Sequence, residues 1–307
     1  MTNTAPTDRF QWMTAFVNGI PFAQVSGMHV TNASKNHATL AMPARAEWTG
    51  DTLRQLTHPG VLTTLADTAC GVAVGTALEV LEPFATLDLR MDYLRPAVAD
   101  RALVCHAECH RLSRSVAFVR GEVRQPGQEE VLATVSAAFM RATAAGSRDP
   151  SGKPRTTEPA TAPAAPPLVT TPALAAGLSP YVDFLGVCHS TRDQAAPLFR
   201  MPFKPELIGN PMLPALHGGV LAGFAETAMV LHLIDTMRLQ GGASPRSVDF
   251  SIDYLRSAKP LDTFAQATTV RQGSRAALVQ VTLWQDDPQR PVATARGHFL
   301  LPQNASE

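Results

Sequence analysis

His217-Gly218-Gly219-Val220-Leu221-Ala222-Gly223-Phe224-Ala225-Glu226-Thr227-Ala228 opens on two glycines and runs into a nearly all-apolar segment that holds one carboxylate, Glu226. A charge in an apolar helix is costly unless it has a partner or a task. An earlier stretch repeats the arrangement: His58-Pro59-Gly60-Val61-Leu62-Thr63-Thr64-Leu65-Ala66-Asp67-Thr68-Ala69. His217 lies 159 residues after His58, and each acid, Asp67 or Glu226, follows its histidine by nine. The spacing predicts two long buried helices, each with glycine near its start and an acid near its middle.

The flanks of the two stretches repeat as well. Gly186 follows Gly27, and Met201-Pro202 follows Met42-Pro43, by the same 159 residues. Asp253-Tyr254-Leu255-Arg256 follows Asp92-Tyr93-Leu94-Arg95 by 161, as Ser274-Arg275 follows Ser113-Arg114. Each half reads as a short helix, two strands, the long helix and four strands. In the first half the short helix runs from Phe10 to Gly19, and Ile20-Pro21 opens an extended segment to Val30. A strand spans Asn36 to Pro43, and the long helix spans about Thr57 to Leu81. Strands follow over residues 85–94, 102–111, 115–123 and 131–140. In the first of these Leu87, Leu89, Met91 and Tyr93 share one face, with Asp88, Arg90 and Asp92 on the other. One long apolar helix followed by four antiparallel strands predicts an α+β fold, a curved sheet wrapped around a central helix, built twice. The two domains are expected over residues 10–141 and 176–302. Residues 142–175, rich in Pro, Ala and Thr, read as a linker.

The chain has 307 residues, 45% hydrophobic content and a formal net charge of +0. That length accommodates two cores of ordinary size. The neutral balance gives no electrostatic footprint for nucleic acid or an anionic membrane. Four cysteines without dense spacing argue against a secreted disulfide scaffold. The opening residues are polar, and Glu226, His232, Asp235 and Arg238 interrupt the second long helix. Core helices in a cytoplasmic protein are therefore expected, not membrane spans.

Taken together, His-Gly-Gly, an acid nine residues after the histidine, Asp-Tyr-Leu-Arg-Pro and a late Ala-Thr strand resemble the hotdog-fold acyl-CoA thioesterases. The phenylacetate-pathway type is the most similar. The resemblance covers roughly residues 15–140 and 178–301. It implies two tandem hotdog domains with facing central helices, an acyl-CoA substrate, no cofactor and no metal. It also implies further pairing into a homodimer of double-hotdog chains.

Thioester hydrolysis needs a group that polarises the carbonyl and a group that attacks or activates water. Unpaired N–H groups at a helix N-terminus suit the first, and a carboxylate in a dry pocket suits the second as nucleophile or general base. One helix cannot supply both: eight residues separate Gly218 from Glu226 by about 12 Å along the axis. The site must be composite, with N–H groups from one half and the acid from the other. Asp67 then works with Gly218, with Gly219 beside it expected to meet substrate, and Glu226 works with the Pro59-Gly60 end. The pairings are unequal, because Pro59 stands where the second half has Gly218 and carries no N–H. The family also places an amide side chain some residues before the motif histidine, and Asn210 fits that role. One competent site is therefore expected, built from Asn210, His217, Gly218 and Asp67, with the Pro59/Glu226 site weakened or lost. His58 and His217 are expected to brace the helix starts rather than act as bases.

Arg95, Arg114, Arg256 and Arg275 recur in both halves and suit coenzyme A phosphates or strand-edge salt bridges equally. Cys105-His106-Ala107-Glu108-Cys109-His110 has the residue types of a metal site, yet an ordinary half-exposed strand accounts for it. The apolar residues Met212, Phe224 and Met229 suit core packing better than an acyl pocket. Two rival functions remain: a non-catalytic acyl-CoA-binding module, and a hotdog enoyl-CoA hydratase or dehydratase.

Overall fold

The computed structural model describes residues 9–80, 82–141, 179–190, 198–210, 214–239 and 243–302; the expected linker at 142–175 lies outside them. In the first half α1 (Arg9–Asn18) and α2 (Pro21–Ser26) precede β1 (His29–Ser34) and β2 (His37–Met42). A small hairpin, β3 (Thr49–Asp51) with β4 (Leu56–Thr57), leads into the central helix α3 (Pro59–Ala77). Then come β5 (Phe84–Tyr93), β6 (Leu103–Leu112), β7 (Val116–Arg124) and β8 (Ala133–Arg141). The second half repeats the order: α4 (Pro180–Leu185), β9 (Cys188–Ser190), β10 (Leu198–Met201), β11 (Ile208–Asn210), β12 (Ala215–Leu216) and α5 (Gly218–Thr236). It closes with β13 (Arg246–Tyr254), β14 (Thr263–Gln272), β15 (Ala276–Trp284) and β16 (Ala293–Leu300).

One sequence expectation is corrected. Residues 21–26 form a helix, not the start of an extended segment. Pro21 at the first helical position has its φ preset, and Gly27 ends the turn in the left-handed region at φ 72°. The same Pro and Gly bracket α4, where Gly186 has φ 71°.

Twelve strands make one antiparallel sheet in the order β1-β2-β6-β7-β8-β5-β13-β16-β15-β14-β10-β9. The halves join where β5 pairs with β13, Leu89 opposite Ile252 and Asp88 opposite Asp253. Both central helices are long and apolar enough to cross a membrane by length and composition, but they lie buried inside the structure. Leu65, Leu89, Met91, Phe224, Phe250 and Phe299 are fully buried, each contributing about 1.5–3 kcal/mol over exposure.

The two helices meet through their smallest residues. A Cβ on Gly60 would fall 2.6 Å from Gly223 Cα, and one on Gly219 would fall 2.4 Å from Thr64 Cα. Only glycine allows backbones this close. The start of each helix therefore lies against the second turn of the other, which is what a shared site requires.

Candidate active site

Each helix start is held by its histidine. His217 caps α5 through Nδ1, which accepts from Gly219 N at 3.0 Å, and His58 caps α3 by accepting from Gly60 N at 3.0 Å. Accepting at Nδ1 leaves the proton on Nε2. The Nε2 of His217 reaches Thr68 Oγ1 at 2.9 Å in the other half, and that of His58 reaches Thr227 Oγ1 at 3.4 Å. Burial pushes both imidazoles down, His58 to about 3. Aromatic rings from the opposite half back them: Tyr181 stacks on His58 at 4.4 Å between centroids, and Phe22 lies 5.4 Å from His217. Both histidines are neutral braces.

Asp67 sits at the start of the partner helix. Its Oδ2 accepts from Gly219 N at 2.8 Å, and its Oδ1 accepts from Thr86 Oγ1 at 3.2 Å. Thr86 lies at an irregularity in the β5–β8 ladder, a feature that re-aims side chains. His217 Nδ1 lies 3.4 Å from Oδ2, but the ring is neutral, so this is a polar contact and not an ion pair. Burial pushes the Asp67 carboxyl up, opposed by His217, Gly219 N–H and Thr86. Gly218 leaves room for it: a Cβ there would fall 2.9 Å from Asp67 Oδ2. The Gly218 N–H is the first of its helix and has no intrahelical acceptor. Tyr254 donates to the Gly218 carbonyl at 2.8 Å, fixing that peptide.

Glu226, the equivalent acid, is held differently. Its Oε2 accepts from Tyr93 OH at 2.9 Å, and Tyr93 also contacts Thr63 Oγ1 at 2.8 Å. Its Oε1 and the Ser247 hydroxyl are both buried and close to one another, without a well-formed hydrogen bond between them. Burial pushes this carboxyl up to about 7, with Ser247 and Tyr93 pulling the other way. At this end Pro59 has no N–H to offer, and Gly60 N–H is engaged by His58. A cavity of about 460 Å³ opens here, lined by residues of both halves including His58, Pro59, Tyr93, Glu226 and Ser247.

The other sequence candidates are spread more widely. Asn210 ends β11, exposed, opposite Ala215 in β12; its neighbour Gly209 packs on the His217 backbone, where a Cβ would fall 2.6 Å from Cα. The equivalent Asp51 is committed to Arg54, which it holds at 3.0 Å. Arg95 lines the cavity at the Glu226 end. Arg256 is exposed just after Tyr254, and Arg114 and Arg275 are exposed in the β6–β7 and β14–β15 turns. On β6, Cys105 and Cys109 are buried, His106 meets Thr39, and Glu108 pairs with Arg120 at 2.9 Å. Among the described residues no group of His, Cys, Asp and Glu is placed to hold a metal.

Sequence reasoning missed Thr86, Thr68, Thr227 and the site role of the two tyrosines. The signals were present: a threonine follows the acid in both repeats, and Tyr93 and Tyr254 occupy the repeated Asp-Tyr-Leu-Arg. A tyrosine on an alternating strand reads as core until the sheet is seen to curl over the helix starts.

A model of the thioesterase superfamily matches residues 55–132 and 213–292, just over half of the chain. The medium/long-chain acyl-CoA thioesterase YigI of Escherichia coli (strain K12) is 29% identical over 138 residues, covering 41% of this chain and 88% of the relative. A conserved hot dog fold protein from Alicyclobacillus acidocaldarius superposes with a TM-score of 0.62 at 16% identity, over 92% of this chain and 98% of that one. The acyl-CoA thioesterase II TesB2 from Mycobacterium marinum gives 0.61 at 16% identity, over 94% of this chain and 99% of that one. At such identities these two structures share the fold. The chain belongs to the thioesterase superfamily, carries the hotdog fold twice in tandem, and is a thioester hydrolase.

Proposed function

We propose that the chain is an acyl-CoA thioesterase whose working site joins Asp67 of the first half to the start of α5 in the second. The observation that carries this reading is the 2.8 Å contact between Asp67 Oδ2 and Gly219 N across the two halves, beside a Gly218 N–H that its helix does not use. The thioester carbonyl oxygen is received by the Gly218 N–H, where the helix dipole favours developing negative charge. Water attacks the carbonyl carbon and Asp67 takes its proton. The tetrahedral intermediate collapses, the carbon–sulfur bond breaks, and the proton passes to the departing thiolate of coenzyme A. Attack by either Asp67 oxygen on the carbonyl carbon would pull the carboxylate off its two donors, whereas a proton can be taken on a free lone pair with the carboxylate left in place; this favours the general-base role. His217 braces the peptide, and Asn210 at the end of β11 is assigned to orient water or substrate. Coenzyme A carries phosphates that the arginine after Tyr254, Arg256, suits.

A second reading places hydrolysis at the other end, with Glu226 as base in the cavity. Its favour is the cavity itself and a carboxyl poised at about 7. Against it stand a proline where the N–H is needed and an acid covered by Tyr93. Release of free thiol from a panel of acyl-CoA esters decides between them. Asp67→Asn is expected to lose turnover by about 100-fold or more, and Glu226→Gln to keep it. Loss in Glu226→Gln with turnover kept in Asp67→Asn reverses the assignment. Enoyl-CoA consumption without thiol release supports the hydratase, and binding without release supports the module.

A further inference from the structure

The cavity at the Glu226 end is built to hold something, although the machinery for hydrolysis is missing there. Its wall is apolar and comes from both halves: Leu62 of α3, Val182 of α4, Val230 and Ile234 of α5, and Val248 of β13. A pocket of about 460 Å³ lies within the range of small-ligand sites. Three arginines, Arg54, Arg95 and Arg246, stand at it, all exposed. Arg54 is neutralised by Asp51 at 3.0 Å, whereas Arg95 and Arg246 have no acidic partner among the described residues. Glu226, Ser179 and Ser247 also line the cavity, but Glu226 Oε1, Ser179 Oγ and Ser247 Oγ are buried away from its surface.

We infer that this cavity is a second, non-hydrolysing ligand site for an acyl chain that carries an anionic head. The chain fills the apolar wall, and the head meets Arg95 and Arg246. Coenzyme A esters and free fatty acids both present this chemistry. The inference rests on the thioesterase reading, because it assigns hydrolysis to the Asp67 end. Pro59 explains why a ligand seated here survives: its carbonyl finds no helix N–H to carry the negative charge of a tetrahedral intermediate. The pseudo-equivalent end has thus kept recognition and lost chemistry.

The test is the binding stoichiometry of the full chain for S-dodecyl-coenzyme A, a thioether that cannot be hydrolysed, measured by titration calorimetry beside dodecanoate and coenzyme A alone. Two equivalents of thioether per chain are expected, falling to one in Val230→Trp, whose indole fills the cavity. Arg246→Glu, an exposed change that spares the core, is the second variant and is expected to weaken the lost equivalent by on the order of tenfold. If dodecanoate binds the same site and is displaced by the thioether, the free acid is a source of the ligand; if only the thioether binds, it is the ester. One equivalent in the wild type, unchanged by both variants, overturns the inference and leaves hydrolysis at Asp67 standing. A single equivalent in the wild type that disappears in Val230→Trp, with thiol release from acyl-CoA abolished in the same variant, overturns both, because the cavity is then the hydrolytic site.

Discussion

Replacing Glu226 by glutamine tests the electrostatics of the duplicated acid. The native carboxyl is fully buried, and burial pushes its pKa up to about 7 against 4.5 for the ordinary group, more than Ser247 and Tyr93 pull it down. When the chain unfolds the acid returns to water and gives up its proton at the lower pH. Between these two values the unfolded state binds fewer protons than the native one, so stability falls as pH rises through that window. Below pH 4.5 both states are protonated and no cost is felt. Above pH 7 the full difference applies, about 3 kcal/mol at 1.36 kcal/mol per unit. Glutamine copies the shape of the protonated acid and still accepts from Tyr93, but it has no proton to lose. Glu226→Gln is therefore expected to match the wild type near pH 5 and to exceed it by about 3 kcal/mol at pH 8, or about 5 °C in melting temperature for a chain of this size. Paired denaturation curves at the two pH values read this directly. An equal gap between variant and wild type at both values refutes the reasoning, since it means that Glu226 ionises normally in the folded chain.

Asp67 should behave as a base: burial raises its pKa from 3.8, so kcat should fall as pH drops through a limb above the ordinary aspartate range. That limb should be absent from the residual rate of Asp67→Asn in a pH-rate profile. Gly218→Ala adds a Cβ 2.9 Å from Asp67 Oδ2 and displaces the carboxylate; kcat should fall by about 100-fold while the melting temperature barely moves. Gly219→Ala is the contrasting case, because its Cβ meets the Thr64 backbone at 2.4 Å and must push the helices apart. It should lower stability by at least 1–3 kcal/mol, roughly the usual cost of overpacking, in a denaturant titration. Cys70, Cys105 and Cys109 are buried with thiols pushed up, Cys105 to about 12, whereas Cys188 is half-buried. One thiol per chain should react quickly with a disulfide reagent under native conditions and the other three only on unfolding.

Much of the architecture was legible because it repeats. An offset of 159 residues between two His-Gly helices is independent of propensity, and the rise of a helix was enough to show that neither acid can serve its own glycines. The short helix α2 was not legible, since a Pro after an apolar residue opens a strand or a helix turn equally well. The sequence by itself determined the duplication, the two acids, and the missing N–H at Pro59, because these follow from residue type and spacing along one chain. Only the tertiary structure decided what each acid touches. Asp67 is satisfied on both oxygens by Gly219 and Thr86, while Glu226 is bound by Tyr93 on one oxygen and has only the Ser247 hydroxyl, poorly placed, near the other. The physical reason is that these partners arrive from the opposite half or from a bulged strand, and desolvation depends on how the sheet closes over the helices. No spacing within one repeat carries that information.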